Sequence, residues 1–543
     1  MKQGRFRHIR VRAALAALGL AGLAPLAHAQ ASASADPQTL PAPAAPAQQP
    51  SFRLNDVRLA GARTLPADEL RALAQPYIGR DVSLADLEAL ARQITQHYRE
   101  RGYFLAQAIV PVQTVQGGVV EISVIEGRLG KIDVQLAPDA PISEERVRGF
   151  LAPLAVGEAV NAPTYERVML LLSDQPGIRV SSGLQQGAEP GTVDLAVEVA
   201  AGPRWAFAAE ADNHGTLEVG RYRVGGTARW SSPAGIGDNL DARLMVSDKS
   251  LVFGRLSYEL PLGTSGLRAG LGVSRVQYQL GGDFEPLDAR GTADVIDLSL
   301  SYPLIRQRHH SLFTRLSFES KTLKDEFRAV DYTLRKRVHA VGLGWAWERR
   351  DTVLGGGYFA STGTLYNGRL RIRDADVRAA DQAPGGLHTS GGFSKLVARV
   401  SRLQAIAAGH SLYYSIGGQW ASKNLDASEK LALGGARAVR AYPSSEALVD
   451  QGWVQSLEWR WAATDTLTPF LFYDAARGRQ IKSLGGMPGN SVSLRGYGIG
   501  LAWGKPGDFS VNATLAWRAG TRRALTDGGG HHPRFFIQAQ KVF

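Results

Sequence analysis

The chain has 543 residues, with 62 Lys and Arg against 50 Asp and Glu, a net charge of +12 and no cysteine. That length exceeds one ordinary domain, and the lack of cysteine excludes disulfides and thiolate metal sites. The positive excess is spread along the chain instead of forming a basic stripe, so no nucleic-acid partner is expected.

At the N-terminus Lys2, Arg5, Arg7, Arg10 and Arg12 precede an apolar run from Ala13 to Leu26 that ends in Ala27-His28-Ala29. A basic region, a short apolar core and an A-x-A site describe a secretory signal peptide over residues 1–29, cleaved after Ala29. The run is shorter than the ~20 residues that an uncleaved anchor helix needs. Residues 30–50 are almost entirely Ala, Pro, Ser and Gln, a composition that buries too little apolar surface to order, and read as a flexible periplasmic linker.

From 51 to 130 the pattern is strand, two helices and two strands. Phe52 to Leu59 alternates as a strand, and Asp68 to Tyr77 reads as a short helix. Ser83 with Asp86 forms a capping signal for a second helix. There Leu84, Leu87, Leu90, Ala91, Ile94 and Tyr98 share one face, and Gly102 ends the element. Leu105 to Pro111 and Val119 to Ile125 are strand candidates. The same order recurs from 131 to 203, with strands at Lys131 to Leu136, Ile178 to Ser182 and Thr192 to Val199 and helices at Ser143 to Leu151 and Thr164 to Leu172. Two successive α+β units of the same order form a tandem repeat. They resemble polypeptide-transport-associated (POTRA) domains, in the Arg101-Gly102-Tyr103 junction and the Asp174-Gln175-Pro176-Gly177 turn.

Helical periodicity disappears after Pro203. From 204 to 543, segments of about ten residues alternate apolar and polar positions between Gly, Asp, Asn and Pro turns. Leu256, Tyr258 and Leu260 alternate with Arg255, Ser257 and Glu259. Ile296, Leu298, Leu300 and Tyr302 alternate with Asp297, Ser299 and Ser301, and Leu457, Trp459 and Trp461 with Ser456, Glu458 and Arg460. A soluble sandwich would alternate likewise. Aromatic residues near strand ends, about sixteen segments and the export signal favour a transmembrane β-barrel of about 16 antiparallel strands. The final strand, with Phe535, Ile537 and the terminal Phe543, resembles the β-signal read by barrel-insertion machinery.

No HExxH, phosphate loop or GxSxG elbow is present, so neither catalytic residues nor a cofactor nor a metal site is expected. Of the eleven histidines, the pairs His309-His310 and His531-His532 fall at expected turns without a second ligand cluster. Gly496-x-Gly498-x-Gly500 lies in an alternating strand with no helix after it, which rules out a dinucleotide fingerprint. With Tyr497, Ile499, Leu501 and Trp503 facing lipid, the glycines face inward and leave a strip of wall without side chains.

The stretch Leu433 to Trp453, within a loop placed at 427–452, is longer than a hairpin and carries Val439, Arg440, Ala441, Tyr442 and Pro443. Lengths of this kind point to function or disorder. On the neighbouring strand, with Leu471 and Tyr473 facing lipid, Phe470, Phe472 and Asp474 face the lumen. A carboxylate beside a bare glycine strip suits a guanidinium, and Arg440 is the candidate partner of Asp474. On chemistry alone the alternative stays open, with Asp474 one lumen charge among many and Arg440 exposed in a loop.

Signal peptide, tandem POTRA units, a barrel of about sixteen strands, a long loop with a V-R-x-Y motif and a later F-x-D strand together resemble the two-partner secretion transporters. These are the haemolysin-activator and filamentous-haemagglutinin (TpsB type) transporters of the outer-membrane assembly-factor superfamily. The resemblance spans Phe52 to Phe543. The superfamily motif has Gly where this chain has Ala441, which removes the residue best suited to a positive-φ tip.

The resemblance implies an outer-membrane translocator with its POTRA units in the periplasm. These would capture an unfolded partner carrying an N-terminal secretion domain, an adhesin or haemolysin, by strand addition. Outer-membrane lipid, lipopolysaccharide and the barrel-insertion machinery are the other expected contacts, and the chain is expected to be a monomer. Within the superfamily the competing reading is a barrel-assembly factor. A diffusion porin is a further alternative, which would leave the periplasmic units without a purpose. Some family members carry an N-terminal plug helix, but the Ala/Pro linker offers no amphipathic helix for one.

Overall fold

The computed structural model describes residues 50–444, 446–483, 490–526 and 533–543. The expected signal peptide, the linker up to Gln49 and the His531-His532 pair lie outside the described residues.

In the first α+β unit the expected strand at Phe52 to Leu59 is two strands, Phe52–Arg53 and Asp56–Ala60, because its halves pair with different partners. Phe52–Arg53 pairs with Asp81–Val82, whereas Asp56–Ala60 runs parallel to Val119–Ile125, with Leu54 turned into the core between them. The first helix, Ala67–Ala74, gives way to a 3-10 turn at Gln75–Tyr77, where Pro76 lacks the N–H that would continue it. The second helix, Leu84–Glu100, starts in a capping box in which Ser83 Oγ accepts from the Asp86 N–H and Asp86 accepts from the Ser83 N–H. Leu87, Leu90, Ala91, Ile94 and Tyr98 are buried against the sheet. Leu84 is 56% exposed, since as the first helical residue it projects before the packed face begins. The sheet is completed by Gln107–Ile109 on the outer side of Val119–Ile125.

The second unit repeats this plan. Its first strand, Arg128–Leu136, begins three residues before the expected Lys131 and lies parallel to Thr192–Ala201. Ile178–Gln186 pairs antiparallel on the other side, and the helices Glu144–Leu151 and Ala162–Ser173 cover one face. Each unit has its own hydrophobic core.

Sixteen strands from Trp205–Asp212 to Arg534–Val542 form a closed antiparallel barrel. The last strand pairs with the first from Gln538↔Asp212 to Val542↔Ala208, which leaves no sheet edge to satisfy in lipid. The outward set expected from alternation is observed: Ile296, Leu298, Leu300, Leu457, Trp459 and Trp461 are exposed on the wall, while Asp297, Ser299 and Glu458 are buried inside it.

The second unit is joined to one end of the barrel. Arg306 donates through Nε and Nη2 to the two carboxylate oxygens of Asp174, each at 2.8 Å. Arg167 donates to the Pro303 carbonyl at 2.9 Å, Arg146 to that of Gly263 at 3.1 Å, and Ser232 Oγ to that of Pro141 at 2.9 Å. These contacts mark the short turns near 232, 263 and 304 as one end. The loop between His410–Ala421 and Gln451–Trp461 leaves from the other end.

Candidate functional site: the loop folded into the barrel

Nothing periodic marks the stretch after Leu433, yet it packs as a core. Leu433, Val439, Ala441, Tyr442 and Val449 are buried together with Val454, Phe472, Ala476, Val492, Leu494 and Ala516 of the wall. The loop is a folded arm. Leu431–Ala432 pairs antiparallel with Leu448–Val449, and the Gly435 and Val439 backbones bond across its end. Among its described residues the left-handed positions are Gly435 (φ 114°) and Ala447 (φ 53°). Ala441 therefore does not sit at a positive-φ turn, and the missing glycine costs the tip no backbone strain.

Arg440 reaches the wall at mid-height. Its Nε and Nη2 donate to the two oxygens of Asp474 at 2.8 and 2.7 Å, and its backbone N–H adds a third bond at 3.1 Å. Nη1 donates to Glu458 at 2.8 Å, and Nη2 also donates to Ser456 Oγ, which itself donates to Asp474. The guanidinium carbon lies 3.5 Å above the centre of the Phe472 ring, a close cation–π contact. Arg440 is 7% exposed, Glu458 5% and Asp474 fully buried. Glu458 accepts a second cation, Arg460, at 2.6 Å, so two guanidinium groups face two carboxylates and the cluster is neutral. An isolated charge at this depth would be very costly, and only such complete pairing makes the burial tolerable.

The inward glycines are not bare along their length. A methyl placed on Gly496 would lie 2.5 Å from Ala441 Cβ, whereas one on Gly498 would lie 2.5 Å from Phe472 Cζ, and one on Gly500 would collide with the Phe470 ring. The strip is therefore divided. Gly496 receives the loop, and Gly498 and Gly500 receive the two aromatic rings of the adjacent strand, directly opposite in register.

The remaining loop residues fasten the arm to other loops. Tyr442 donates to the Arg522 carbonyl at 3.2 Å and Ser444 to that of His214 at 2.6 Å. The Glu446 carboxylate accepts from the Leu525 N–H at 2.9 Å and from the N–H and hydroxyl of Thr526 at 3.0 and 2.6 Å. Between the arm and the wall lies a cavity of about 340 Å³ bordered by His214, Arg437, Arg440, Glu458, Arg460 and Gln538. In the last strand Phe535 faces outward at 50% exposure and Ile537 is half-buried, and Phe543, one residue past its end, is 73% exposed. Phe536 turns inward, edge-on to the His214 ring.

Sequence reasoning had Ser456 and Glu458 on the wet face of their strand without linking them to Arg440. The register of the folded hairpin, which periodicity does not encode, brings Ser456 opposite Asp474 and Glu458 opposite Phe472.

The chain matches two protein-family models. "POTRA domain, ShlB-type" covers residues 52–127 and "Haemolysin secretion/activation protein ShlB/FhaC/HecB" covers residues 191–503. It is similar to the heme/hemopexin transporter protein HuxB of Haemophilus influenzae (strain 86-028NP), 28% identical over 460 residues that cover 83% of this chain and 80% of that one. It is also similar to the outer membrane transporter CdiB of Dickeya dadantii (strain 3937), 23% identical over 491 residues, covering 87% and 83% of the two chains. In fold it is similar to the solved CdiB from Escherichia coli, with a TM-score of 0.71, 20% identity and 93% of each chain covered.

Proposed function

We propose that this chain, which belongs to the haemolysin secretion/activation (ShlB/FhaC/HecB) family, uses its long loop as an internal brace that must be moved for a partner protein to pass. The chain is an outer-membrane transporter of the two-partner secretion type, with its POTRA units on the periplasmic side. Its partner is a secreted protein, which we take to be a large adhesin or haemolysin with an N-terminal secretion domain.

The observation that carries the brace reading is the burial of Arg440 among Asp474, Glu458 and Ser456 inside the barrel. A loop that merely lined the surface would have no need of a neutralised charge cluster at mid-wall. In this reading Arg440 and Asp474 set the closed arrangement, Phe472 covers the guanidinium, and Ala441 fits the gap at Gly496. Of the edge strands of the periplasmic units, Gln107–Ile109 in the first has its Ala108 N–H taken by Thr95 Oγ1, and Ile178–Gln186 in the second is the edge to which an extended segment would add. No catalytic step is needed, and folding of the partner outside supplies the direction of transport.

We further propose domain limits of 51–130, 131–203 and 204–543, insertion by the barrel-assembly machinery through the Phe535 to Phe543 strand, contact with lipopolysaccharide, and a monomeric transporter. Comparison of the culture medium and outer membrane of a deletion strain with its complemented parent tests the function. One large exported protein should vanish from the medium and surface and return on complementation. General depletion of outer-membrane barrels would instead indicate an assembly factor, and a change restricted to small-solute uptake would indicate a porin.

A further inference from the structure

The loop is held at a second place that the Arg440 cluster does not touch. At its root, the short turn Ala427–Glu429 follows Asp426, and both carboxylates are bound by lysines of the wall. Lys336 Nζ lies 2.8 Å from Asp426. Lys321 and Lys395 lie 2.7 and 2.8 Å from Glu429, which is 3% exposed. Lys395 and Gln419 also donate to the Glu429 carbonyl at 2.9 and 3.0 Å. The three lysines stand on three different strands, His310–Phe327, Tyr332–Asp351 and Gly391–Ala407. Asp450, fully buried at the far end of the loop, accepts from the Leu425 and Lys482 N–H groups at 3.0 and 2.8 Å and so ties the two ends of the loop together.

Two features separate root from tip. Polarity is reversed: at the tip a loop cation meets wall carboxylates, and at the root loop carboxylates meet wall cations. The apolar packing is also divided. Leu425 belongs to a cluster with Val338, Leu370, Ile372, Phe393 and Ala421, whereas Leu433 belongs to the cluster around Tyr442 and Phe472. Groups that share no partner contribute independently to stability.

We propose that Asp426 and Glu429 are positioning residues that keep the loop root on the wall when the tip is released, so that the moving part of the loop is the arm Leu431 to Val449. Transport would then need the Arg440 cluster to open and the Glu429 cluster to stay closed. The consequence for transport rests on the transporter reading, but the root's independence does not, and it is tested without a partner.

The chain has no cysteine, so a single introduced thiol reports alone. Leu425→Cys at the root and Leu433→Cys in the arm, both buried sites, are reacted with a charged maleimide in the purified full-length protein in detergent. Arg440→Ala should raise the labelling rate of Leu433→Cys by about tenfold or more and leave Leu425→Cys protected. Glu429→Gln should do the reverse, and Lys321→Gln, which leaves Lys395 on Glu429, should give an intermediate rise at Leu425→Cys. Heat-modifiable migration of the barrel identifies the folded fraction, to which rates are referred. The proposal is overturned if Arg440→Ala exposes both cysteines alike, or if neither Glu429→Gln nor Lys321→Gln exposes Leu425→Cys.

Discussion

Ala441 at the loop tip and Gly496 in the wall share the room of one side chain: a Cβ on Gly496 would stand 2.5 Å from Ala441 Cβ and 3.1 Å from the Trp517 carbonyl. Gly496→Ala should therefore push the tip off the wall, at a cost of about 1–3 kcal/mol in loop docking. Ala441→Gly should restore it when combined with Gly496→Ala. Amide exchange at Arg440 in the four variants of the cycle measures this, and equal protection in all four would refute the shared-space account.

Removal of the Arg440 side chain leaves the fully buried Asp474 without a cation and Glu458 with Arg460 alone. Arg440→Ala should lose about 3–5 kcal/mol of docking energy, the usual effect of leaving a buried charge unpaired. Secretion should fall while folded barrel levels hold, as read by partner in the medium per heat-modifiable barrel in the membrane.

A charge swap should rescue incompletely, for a reason set by the third member of the cluster. Arg440→Asp with Asp474→Arg places a carboxylate where Glu458 now receives Arg440 at 2.8 Å. Adding Glu458→Gln should raise secretion above that of the double swap. If the triple variant secretes no better than the double, Glu458 has no part in holding the tip.

In the first POTRA unit Glu126 is 3% exposed, and burial alone would raise its pKa. Hydrogen bonds from the Arg63 and Thr64 N–H groups, each 2.7 Å, and from Tyr98 at 2.9 Å outweigh it and hold the carboxyl below its ordinary value of 4.5. A depressed carboxylate stabilises the fold above its unfolded-state pKa, and that contribution is lost as pH falls through the folded value. Exchange protection at Arg63 and Thr64 should thus hold above the ordinary value and fall at more acidic pH. Glu126→Gln should have weaker protection with little acid dependence.

The Arg306–Asp174 pair fastens the second unit to the barrel through a side chain that is itself 6% exposed. Asp174 is open to solvent on one side, so Asp174→Asn should cost about 1 kcal/mol, near the upper end for surface pairs. Faster proteolysis between residues 201 and 205 is the expected sign, with the barrel itself unchanged.

The alternation rule served the barrel strands well because a wall between lipid and water imposes opposite chemistry on successive residues. Leu471, Tyr473, Ile499 and Trp503 could be assigned outward, and Asp474 and Gly496 inward, from neighbours in sequence. The POTRA helices were legible through their spacing and the Ser83 cap, while the break at Leu54 was not, since it depends on which strand each half meets.

By itself, then, the sequence determined the order of units, the closed barrel and the face on which each wall residue stands, all of which follow from local periodicity and the solvents on either side. It also marked Arg440 and Asp474 as a possible pair. Only the tertiary structure decided that the guanidinium binds Asp474, Glu458 and Ser456 at once, that Phe472 and Phe470 occupy two of the three glycine positions, and that Lys321, Lys336 and Lys395 converge on Asp426 and Glu429. The lysines of the root lie on strands distant in sequence from the carboxylates they bind, and the tip contacts, although made by consecutive strands, depend on strand register and on the loop folding into the barrel, neither of which local periodicity encodes.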